Sequence, residues 1–134
     1  MARLILDTTV LVASERDVTA LDVVIDDADD VAIAAITAAE LLVGVELADR
    51  RRRPARESFV DGVLAVLPVE EYDLATARVH AHLLAATRRA GKPRGAHDLI
   101  IAATAIATAR EVVTADARGF AHLPDVVVRE LPAP

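Results

Sequence analysis

Short apolar runs recur along this chain and alternate with longer segments in which apolar residues repeat at helical spacing. Short runs of this kind are typical of buried strands, and the longer segments are typical of packed helices. The predicted strands cover residues 3–7, 31–35, 68–69, 111–114 and 126–128. One predicted helix begins at Thr8, and the other predicted helices cover residues 19–29, 37–49, 55–67, 73–90 and 95–110. Strands alternating with helices predict an α/β fold in which a central parallel sheet is flanked by helices on both faces.

The segment 19–29 is the most acidic of the predicted helices. Its apolar residues fall on one stripe, which predicts an amphipathic helix packed on the sheet. We expect the acidic side chains in and beside this segment to form a solvated face, namely Asp22, Asp26, Asp27, Asp29 and Asp30.

Composition narrows the functional classes. The chain has 134 residues, which predicts one domain spanning residues 1–134. It has no cysteine, which excludes disulfides, thiolate zinc sites and cysteine nucleophiles and favours a cytoplasmic location. Its three aromatic residues, Phe59, Tyr72 and Phe120, are too few for a surface that binds single strands by base stacking. No apolar stretch approaches the ~20 residues that a membrane-spanning helix needs, so we expect no membrane partner.

Four acidic residues fall where strands of the predicted sheet end or where helices begin. Asp7 ends the first strand, Glu40 lies in the first turn of the helix 37–49, Asp98 lies near the start of the helix 95–110, and Asp116 follows the strand 111–114. In open α/β sheets, ligands bind beyond the carboxyl ends of the strands. We therefore expect Asp7, Glu40, Asp98 and Asp116, called the four acids below, to meet at one edge of the sheet.

Each of the four acids also has an ordinary structural explanation. Asp7 caps the following helix, Glu40 forms a capping box with Thr37, Asp98 interacts with a helix dipole, and Asp116 forms an Asx turn towards Gly119. Taken together they are harder to explain, because two carboxylates ~4 Å apart repel by about 4 kcal/mol at an effective dielectric constant of 20. Either protonation or a bound cation has to offset this repulsion.

A hard divalent cation suits these residues better than zinc. Mg²⁺ and Mn²⁺ prefer carboxylate and water oxygens. Zinc-binding histidine pairs on a helix are usually four residues apart, whereas His80 and His82 are two apart, and His97 and His122 have no spaced partner. The expected cofactor is therefore Mg²⁺ or Mn²⁺.

The segments that carry the four acids resemble four successive motifs of a known family. These segments are residues 5–12 (ILDTTVLV), 37–44 (TAAELLVG), 97–105 (HDLIIAATA) and 113–116 (VTAD) followed by Phe120. They resemble the motifs of PIN-domain ribonucleases, and among these the VapC-type toxins of bacterial toxin–antitoxin pairs, in order, spacing and overall length. Many members have a further acid just before the Phe of the last motif, where this chain has Gly119.

The resemblance implies a catalytic site formed by Asp7, Glu40, Asp98 and Asp116, with Asp7, Asp98 and Asp116 as ligands of Mg²⁺ or Mn²⁺. It implies an endoribonuclease that hydrolyses RNA phosphodiesters with a metal-activated water, for which Glu40 orients or deprotonates the water. Thr8 and Thr114 are expected to hold the carboxylates by hydrogen bonds. The partners implied are RNA, a cognate antitoxin protein and a second copy of the chain in a homodimer.

RNA has to be attracted to a protein whose formal net charge is −6, so local basic patches are required. Nine of the 15 basic residues lie in two short segments. One contains Arg50–Arg53 and Arg56, for which an antitoxin or plain solvent is as good an explanation as RNA. The other, called the 88–94 basic segment, precedes Asp98 and supplies the candidates for contact with the RNA backbone: Arg88, Arg89, Lys92 and Arg94.

Three alternatives lie in other classes. A receiver-type Mg²⁺-dependent phosphoacceptor domain has paired acids after its first strand and a Lys near its last strands, whereas here Thr8 and Thr9 follow Asp7 and the sole lysine is Lys92. A haloacid-dehalogenase-like phosphatase needs a second Asp where this chain has Thr9. A catalytically degenerate PIN domain that acts only as a binding module keeps the fold and loses the reaction.

Overall fold

Five strands form one parallel sheet in the computed structural model, which describes residues 1–16, 22 and 24–132. The strand order is β3-β2-β1-β4-β5. The strands are β1 (Arg3–Leu6), β2 (Asp30–Ala34), β3 (Val69–Glu70), β4 (Glu111–Thr114) and β5 (Val128–Glu130). Because every neighbouring pair is parallel, the carboxyl ends of the strands lie along one edge of the sheet.

Helices connect the strands and cover both faces of the sheet. They are α1 (Thr8–Arg16), α2 (Ala35–Leu47), α3 (Arg53–Val66), α4 (Leu74–Ala90) and α5 (Ala96–Ala107). A short 3₁₀ helix, Ala117–Phe120, follows β4. Among the described residues, no helix is both long and apolar enough to cross a bilayer. The predicted α/β architecture is confirmed.

Alternating residues of β1 divide the core into two halves. Leu4 and Leu6 pack with Val10, Val60 and other residues of α1, α2 and α3. Ile5 packs on the opposite face, in a cluster formed mainly by residues of α4 and α5. Successive side chains of a strand point to opposite faces, so a run that is apolar at every position is buried on both sides. This explains why Leu4, Ile5 and Leu6 of the central strand β1 are all apolar.

The prediction of a helix over residues 19–29 is wrong for residues 25–29, which the structure describes. Residues 17–21 and 23 lie outside the described residues, but Ile25 and Asp26 have no regular structure, and a turn at Asp27 and Ala28 with a bend at Asp29 leads directly into β2. The Asp29 carboxylate accepts hydrogen bonds from the backbone N–H groups of Asp26 (2.9 Å) and Ala2 (2.8 Å). A turn held by a side-chain acceptor competes with helix formation, as aspartate commonly does.

Two of the aspartates expected on a solvated face are structural. The pKa of Asp29 is lowered because its carboxylate accepts hydrogen bonds from the backbone N–H groups of Ala2 and Asp26. Asp30 pairs with Arg3 (2.6 Å) and with the buried guanidinium of Arg110 (3.0 Å). Arg110 also pairs with Glu70 and donates to the backbone carbonyls of Leu4 and Asp30. This single side chain therefore links the start of β4 to β1, β2 and β3.

The remaining elements differ from prediction at their ends. β4 is found as predicted, whereas β5 begins at Val128, where 126–128 was expected. α2 begins at Ala35, two residues before the predicted start, because it follows β2 without a loop. This shift moves Glu40 from the first turn of the helix to the second, which decides what it contacts.

Candidate active site

Asp7 lies directly after β1 and is buried, with 3% of its surface exposed. The Thr114 hydroxyl donates to its Oδ2 at 2.6 Å, and the Thr9 hydroxyl donates to its Oδ1. The backbone N–H of Val10 also donates to Oδ1, at 3.3 Å. Asp7 therefore caps α1, which is the structural role that the sequence suggested for it. These donors come from α1 and β4, and they fix the direction of the carboxylate.

The Glu40 side chain contacts residues of both α1 and α5. Thr8 donates from Oγ1 to Oε1 of Glu40 at 2.9 Å. The ring Nδ1 of His97, at the start of α5, lies 3.5 Å from Oε2 of Glu40. The capping box with Thr37 is not formed: among the described residues, α2 has no side-chain cap and the buried Thr37 hydroxyl has no hydrogen-bond partner.

Asp98 lies in the first turn of α5 and is half-buried. Burial raises the pKa of its carboxyl group, and the negative charges of Asp7, Glu40 and Asp116 raise it further, while the nearby His97 opposes them. Asp7, Glu40 and Asp116, which lie far from Asp98 in the sequence, are therefore close enough in the fold for their charges to act on it. Asp7 and Asp116 follow the carboxyl ends of the neighbouring strands β1 and β4. That all four acids form one site stays a prediction.

The carboxylate of Asp98 fits between two glycines. A Cβ atom placed on Gly119 would lie 2.4 Å from Oδ2 of Asp98, and one placed on Gly95 would lie 3.4 Å from it. Neither glycine has a positive φ. The absence of a side chain at position 119 is therefore a matter of space for Asp98.

Asp116 caps the 3₁₀ helix and pairs with an arginine. Its Oδ1 accepts the backbone N–H of Arg118 at 3.1 Å, so an Asx turn forms, but its donor is Arg118 and the prediction of a turn towards Gly119 was wrong in that respect. The Arg118 guanidinium binds both carboxylate oxygens, Nε to Oδ1 at 2.9 Å and Nη2 to Oδ2 at 2.8 Å. These hydrogen bonds lower the pKa of Asp116 to about 2. The Thr114 hydroxyl accepts the backbone N–H of Asp116 at 3.0 Å.

The donor set suits a hard divalent cation, although its present conformation does not form a closed site. All the donors are carboxylate oxygens, and among the described residues neither Asp7 nor Asp98 forms an ion pair with Lys or Arg. Within the same residues, no three acidic or histidine side chains are close enough to share an ion. The acids remain apart because the Asp116 carboxylate is directed towards Arg118 and the Asp7 carboxylate is directed towards Thr9 and Thr114.

Two residues at the site were missed by the sequence interpretation. Thr9 bridges Asp7 to β4, since its hydroxyl donates to Asp7 and accepts the backbone N–H of Ala115 at 3.1 Å. Arg118 pairs with Asp116. The sequence carried a signal for Arg118, because a basic residue two positions after an Asx-turn aspartate lies beside its carboxylate. It carried none for Thr9, whose contacts cross the sheet. Thr8 and Thr114, which were predicted, contact Glu40 and Asp7.

The basic residues divide into exposed and structural ones. Arg88, Arg89 and Lys92 are exposed, whereas Arg94 donates from Nε to the backbone carbonyl of Ala121 at 2.9 Å. In the other basic segment, Arg53 caps the end of α2 through the carbonyls of Val45 and Glu46. Arg56 pairs with Glu15 at 3.0 Å and Arg52 pairs with Asp49 at 3.9 Å. That segment is therefore largely engaged in internal contacts.

Comparison with known proteins agrees with the fold. The PIN domain family matches residues 4–126. A curated relative, Ribonuclease VapC from Rickettsia bellii (strain RML369-C), is 28% identical over 130 residues, which is 96% of each chain. The structure of VapBC-5 from Mycobacterium tuberculosis, a member of the VapBC family of toxin–antitoxin systems, superposes with a TM-score of 0.80 at 32% identity, covering 99% of this chain and 100% of that one.

A further structure supports the fold alone. It is the DNA-bound VapBC from Salmonella typhimurium, which matches with a TM-score of 0.85 at 24% identity, over 97% of this chain and 98% of that chain. The PIN domain match covers nearly the whole sequence, and its bounds include all four acids. This chain belongs to the PIN domain family.

Proposed function

We propose that this chain is an endoribonuclease that depends on Mg²⁺ or Mn²⁺ and acts in the cytoplasm as the toxin of a toxin–antitoxin pair. The observation that carries the proposal is the field of the four acids, in which Asp7, Glu40 and Asp116 raise the pKa of Asp98. Asp7 and Asp98 form no ion pair among the described residues, and carboxylates without a balancing charge favour a bound cation. The relatives support the reaction class, because one of them is a ribonuclease.

Asp7, Asp98 and Asp116 would hold the ion. A divalent ion bound there supplies Lewis acidity towards a water molecule and towards the oxygens of a phosphodiester. Thr9 and Thr114 already hold the Asp7 carboxylate by hydrogen bonds, as the partners of metal-ligating carboxylates commonly do. Asp116 has to exchange its contact with Arg118 for one with the ion.

Glu40 is the residue proposed to accept the proton of the attacking water. Its Oε1 accepts one hydrogen bond from Thr8, and its Oε2 lies beside His97, so the side chain is oriented from two helices. Its position in the second turn of α2 keeps it half-buried and therefore open to water. Glu40 is thus separate in role from the three aspartates.

The partners follow from the same proposal. An antitoxin protein is proposed because VapBC-5 is a member of a toxin–antitoxin family. A homodimer is proposed because the side chains of Leu42, Val43 and Leu47 on α2 are exposed although they are apolar. Light scattering on the isolated chain tests the dimer, and a monomer at micromolar concentration would contradict it.

Cleavage of RNA with and without divalent ions tests the main proposal. We expect the wild type to cleave RNA in Mg²⁺ or Mn²⁺ and to be inactive in EDTA. Asp7→Asn and Asp98→Asn should each lower the rate at least 100-fold, on the scale of other essential catalytic groups. Asp61→Asn is the matched control, because Asp61 is exposed on α3. Wild-type activity in either site variant would overturn the assignment, and RNA binding without cleavage by the wild type would favour a binding module.

A further inference from the structure

Arg118 is the only arginine that pairs with one of the four acids among the described residues. Its guanidinium occupies both oxygens of Asp116, at 2.8 and 2.9 Å. Asp7 and Asp98, by contrast, have no such cation among the residues that the structure describes. Asp116 is therefore the one proposed metal ligand whose charge is already balanced by a side chain of this protein.

The contact between Arg118 and Asp116 can be broken at low cost. The Arg118 side chain is 90% exposed, and exposed ion pairs contribute little to stability. Asp116 does not depend on the guanidinium for its position, because its Oδ1 also accepts the backbone N–H of Arg118 at the start of the 3₁₀ helix. Asp116 would therefore keep its backbone contact at the start of the 3₁₀ helix when the guanidinium leaves it.

Once displaced, the guanidinium stays at the rim of the site. Arg118 is two residues from Asp116 on a single 3₁₀ turn, so its donors remain within reach of Asp116. A guanidinium presents planar donors that match phosphate oxygens as well as carboxylate oxygens. RNA approaching this acidic edge needs such a positive charge, because the formal net charge of the chain is −6.

We propose that Arg118 exchanges partners during the reaction: it pairs with Asp116 in the metal-free protein and binds a phosphate of the RNA when a divalent ion takes Asp116. Arg118 is then both the internal competitor of the metal and a substrate-binding residue. This inference rests on the proposed function, which brings the metal and the RNA phosphate to the same edge.

The exchange predicts opposite effects of one substitution on two measurements. Removing the guanidinium with Arg118→Ala frees Asp116, so Mn²⁺ alone should bind about two- to fivefold more tightly by calorimetry. The same variant lacks the phosphate contact, so its KM for RNA in saturating Mn²⁺ should rise at least tenfold with little change in kcat. Arg118→Lys, which keeps the charge without the fork, should have an intermediate KM.

Arg3→Ala is the matched control. Arg3 is also a partly exposed arginine paired with an aspartate, Asp30, at 2.6 Å, but it lies at the start of β1, at the other edge of the sheet. The Arg3→Ala variant should have the same Mn²⁺ affinity and the same KM for RNA as the wild type.

The outcomes separate the two proposals. If the wild type binds Mn²⁺ and cleaves RNA while Arg118→Ala matches it in both measurements, the exchange is overturned and the proposed function stands. Weaker Mn²⁺ binding by Arg118→Ala would also overturn the exchange, since Arg118 would then support the site. Tighter Mn²⁺ binding with an unchanged KM would overturn the phosphate contact. A wild type that neither binds Mn²⁺ nor cleaves RNA contradicts the proposed function itself.

Discussion

Asp98 of α5 and Gly119 of the 3₁₀ helix are so close that a methyl group on Gly119 would lie 2.4 Å from Oδ2 of the carboxylate. Two atoms without a bond between them do not approach to that distance, so one of them has to move. The atom that would meet the new group is the far end of a rotatable side chain. Space at position 119 is therefore a condition for the orientation of Asp98 and only weakly a condition for folding.

Gly119→Ala should separate these two effects. The Asp98 carboxylate can rotate away from the new methyl group, so we expect the melting temperature to change by at most about 2 °C. The rotation misplaces a proposed metal ligand, and RNA cleavage should fall at least tenfold, with weaker Mn²⁺ binding. Thermal melting and cleavage assays on one preparation decide the matter. Normal cleavage by this variant would contradict the claim that Gly119 positions Asp98.

Gly62→Ala is the control for the loss of a glycine. Gly62 lies inside α3, where an added Cβ atom would contact nothing within 4 Å. Alanine is favoured over glycine in a helix by about 0.8–1.0 kcal/mol, so this variant should be more stable than the wild type. Its cleavage rate should equal that of the wild type.

The ionised form of Asp98 should destabilise the metal-free protein. The pKa of Asp98 is raised above its ordinary value of 3.8 by burial and by the other three acids. The folded state thus binds a proton more readily than the unfolded state, and the cost of the charge is fully present above the raised pKa. In EDTA near pH 7, Asp98→Asn should melt roughly 1–3 °C above the wild type.

Two further measurements test the same cause. The advantage of Asp98→Asn should shrink as the pH falls through the raised pKa and should vanish below about 3.8, where both states of the wild type are protonated. Adding Mn²⁺ near pH 7 should reverse the order, because a ligand that binds the native state stabilises only the protein that binds it. An advantage independent of pH and metal would refute the electrostatic explanation.

Asp73 provides a stability test away from the site. It caps α4 by accepting hydrogen bonds from the backbone N–H and the hydroxyl of Thr76, at 2.9 and 3.0 Å. Asp73→Ala should lower the melting temperature by about 3–5 °C, whereas Asp73→Asn keeps a capping oxygen without the charge and should lie between the two near pH 7.

The effect of the Asp73 cap should depend on pH in the opposite direction to that of Asp98. The hydrogen bonds from Thr76 lower the pKa of Asp73 from its ordinary value of 3.8, so its stabilising charge is present above that value and is lost as the pH falls through the lowered pKa. The gap between the wild type and Asp73→Ala should therefore narrow in strong acid. A constant gap would show that the carboxylate charge contributes nothing.

The 88–94 basic segment should contribute to RNA binding through its exposed members. Replacing Arg88 and Arg89 by alanine should weaken binding of single-stranded RNA and reduce the slope of log K against log[salt] by about 0.7 for each phosphate that the protein no longer neutralises. Anisotropy titrations in the Asp98→Asn background avoid cleavage during the measurement. Arg78→Ala is the control, since Arg78 is exposed near the start of α4, at the other end of the helix. An unchanged salt slope would exclude Arg88 and Arg89 from binding the RNA backbone.

Arg94 should behave differently from its neighbours. Its guanidinium already donates to the carbonyl of Ala121, so it connects the loop before α5 to the loop after the 3₁₀ helix. We expect Arg94→Ala to lower the melting temperature, which Arg88→Ala and Arg89→Ala should leave unchanged. Equal melting temperatures for all three variants would argue against a structural role for Arg94.

The fold was predictable to the extent that it is written in local periodicity. Residues 111–114 have an apolar run in sequence and form β4 in the structure. The turn that replaces the helix expected over 19–29 was not predictable in the same way, because Asp29 uses its carboxylate to close that turn onto the backbone of Ala2, far away in sequence. A side chain that competes for backbone donors leaves no trace in hydrophobic spacing.

The site was predictable in its membership more than in its geometry. The ends of parallel strands meet at one edge, which is why Asp7 and Asp116 could be grouped from the sequence. The orientation of Glu40 depended on α2 starting directly after β2, a junction that no residue pattern marked. The close approach of Asp98 and Gly119 depended on packing of α5 against the 3₁₀ helix, which lies beyond any local rule.

Arg110 connects β1, β2 and β3 by hydrogen bonds to backbone carbonyls and by ion pairs with carboxylates. None of these oxygens belongs to the proposed catalytic centre. The architecture of the sheet and its chemical activity thus rely on separate sets of charges. We expect a chelator to silence the protein while leaving it folded, so that activity returns on adding the ion back, as fast as the ion can bind and without a refolding step.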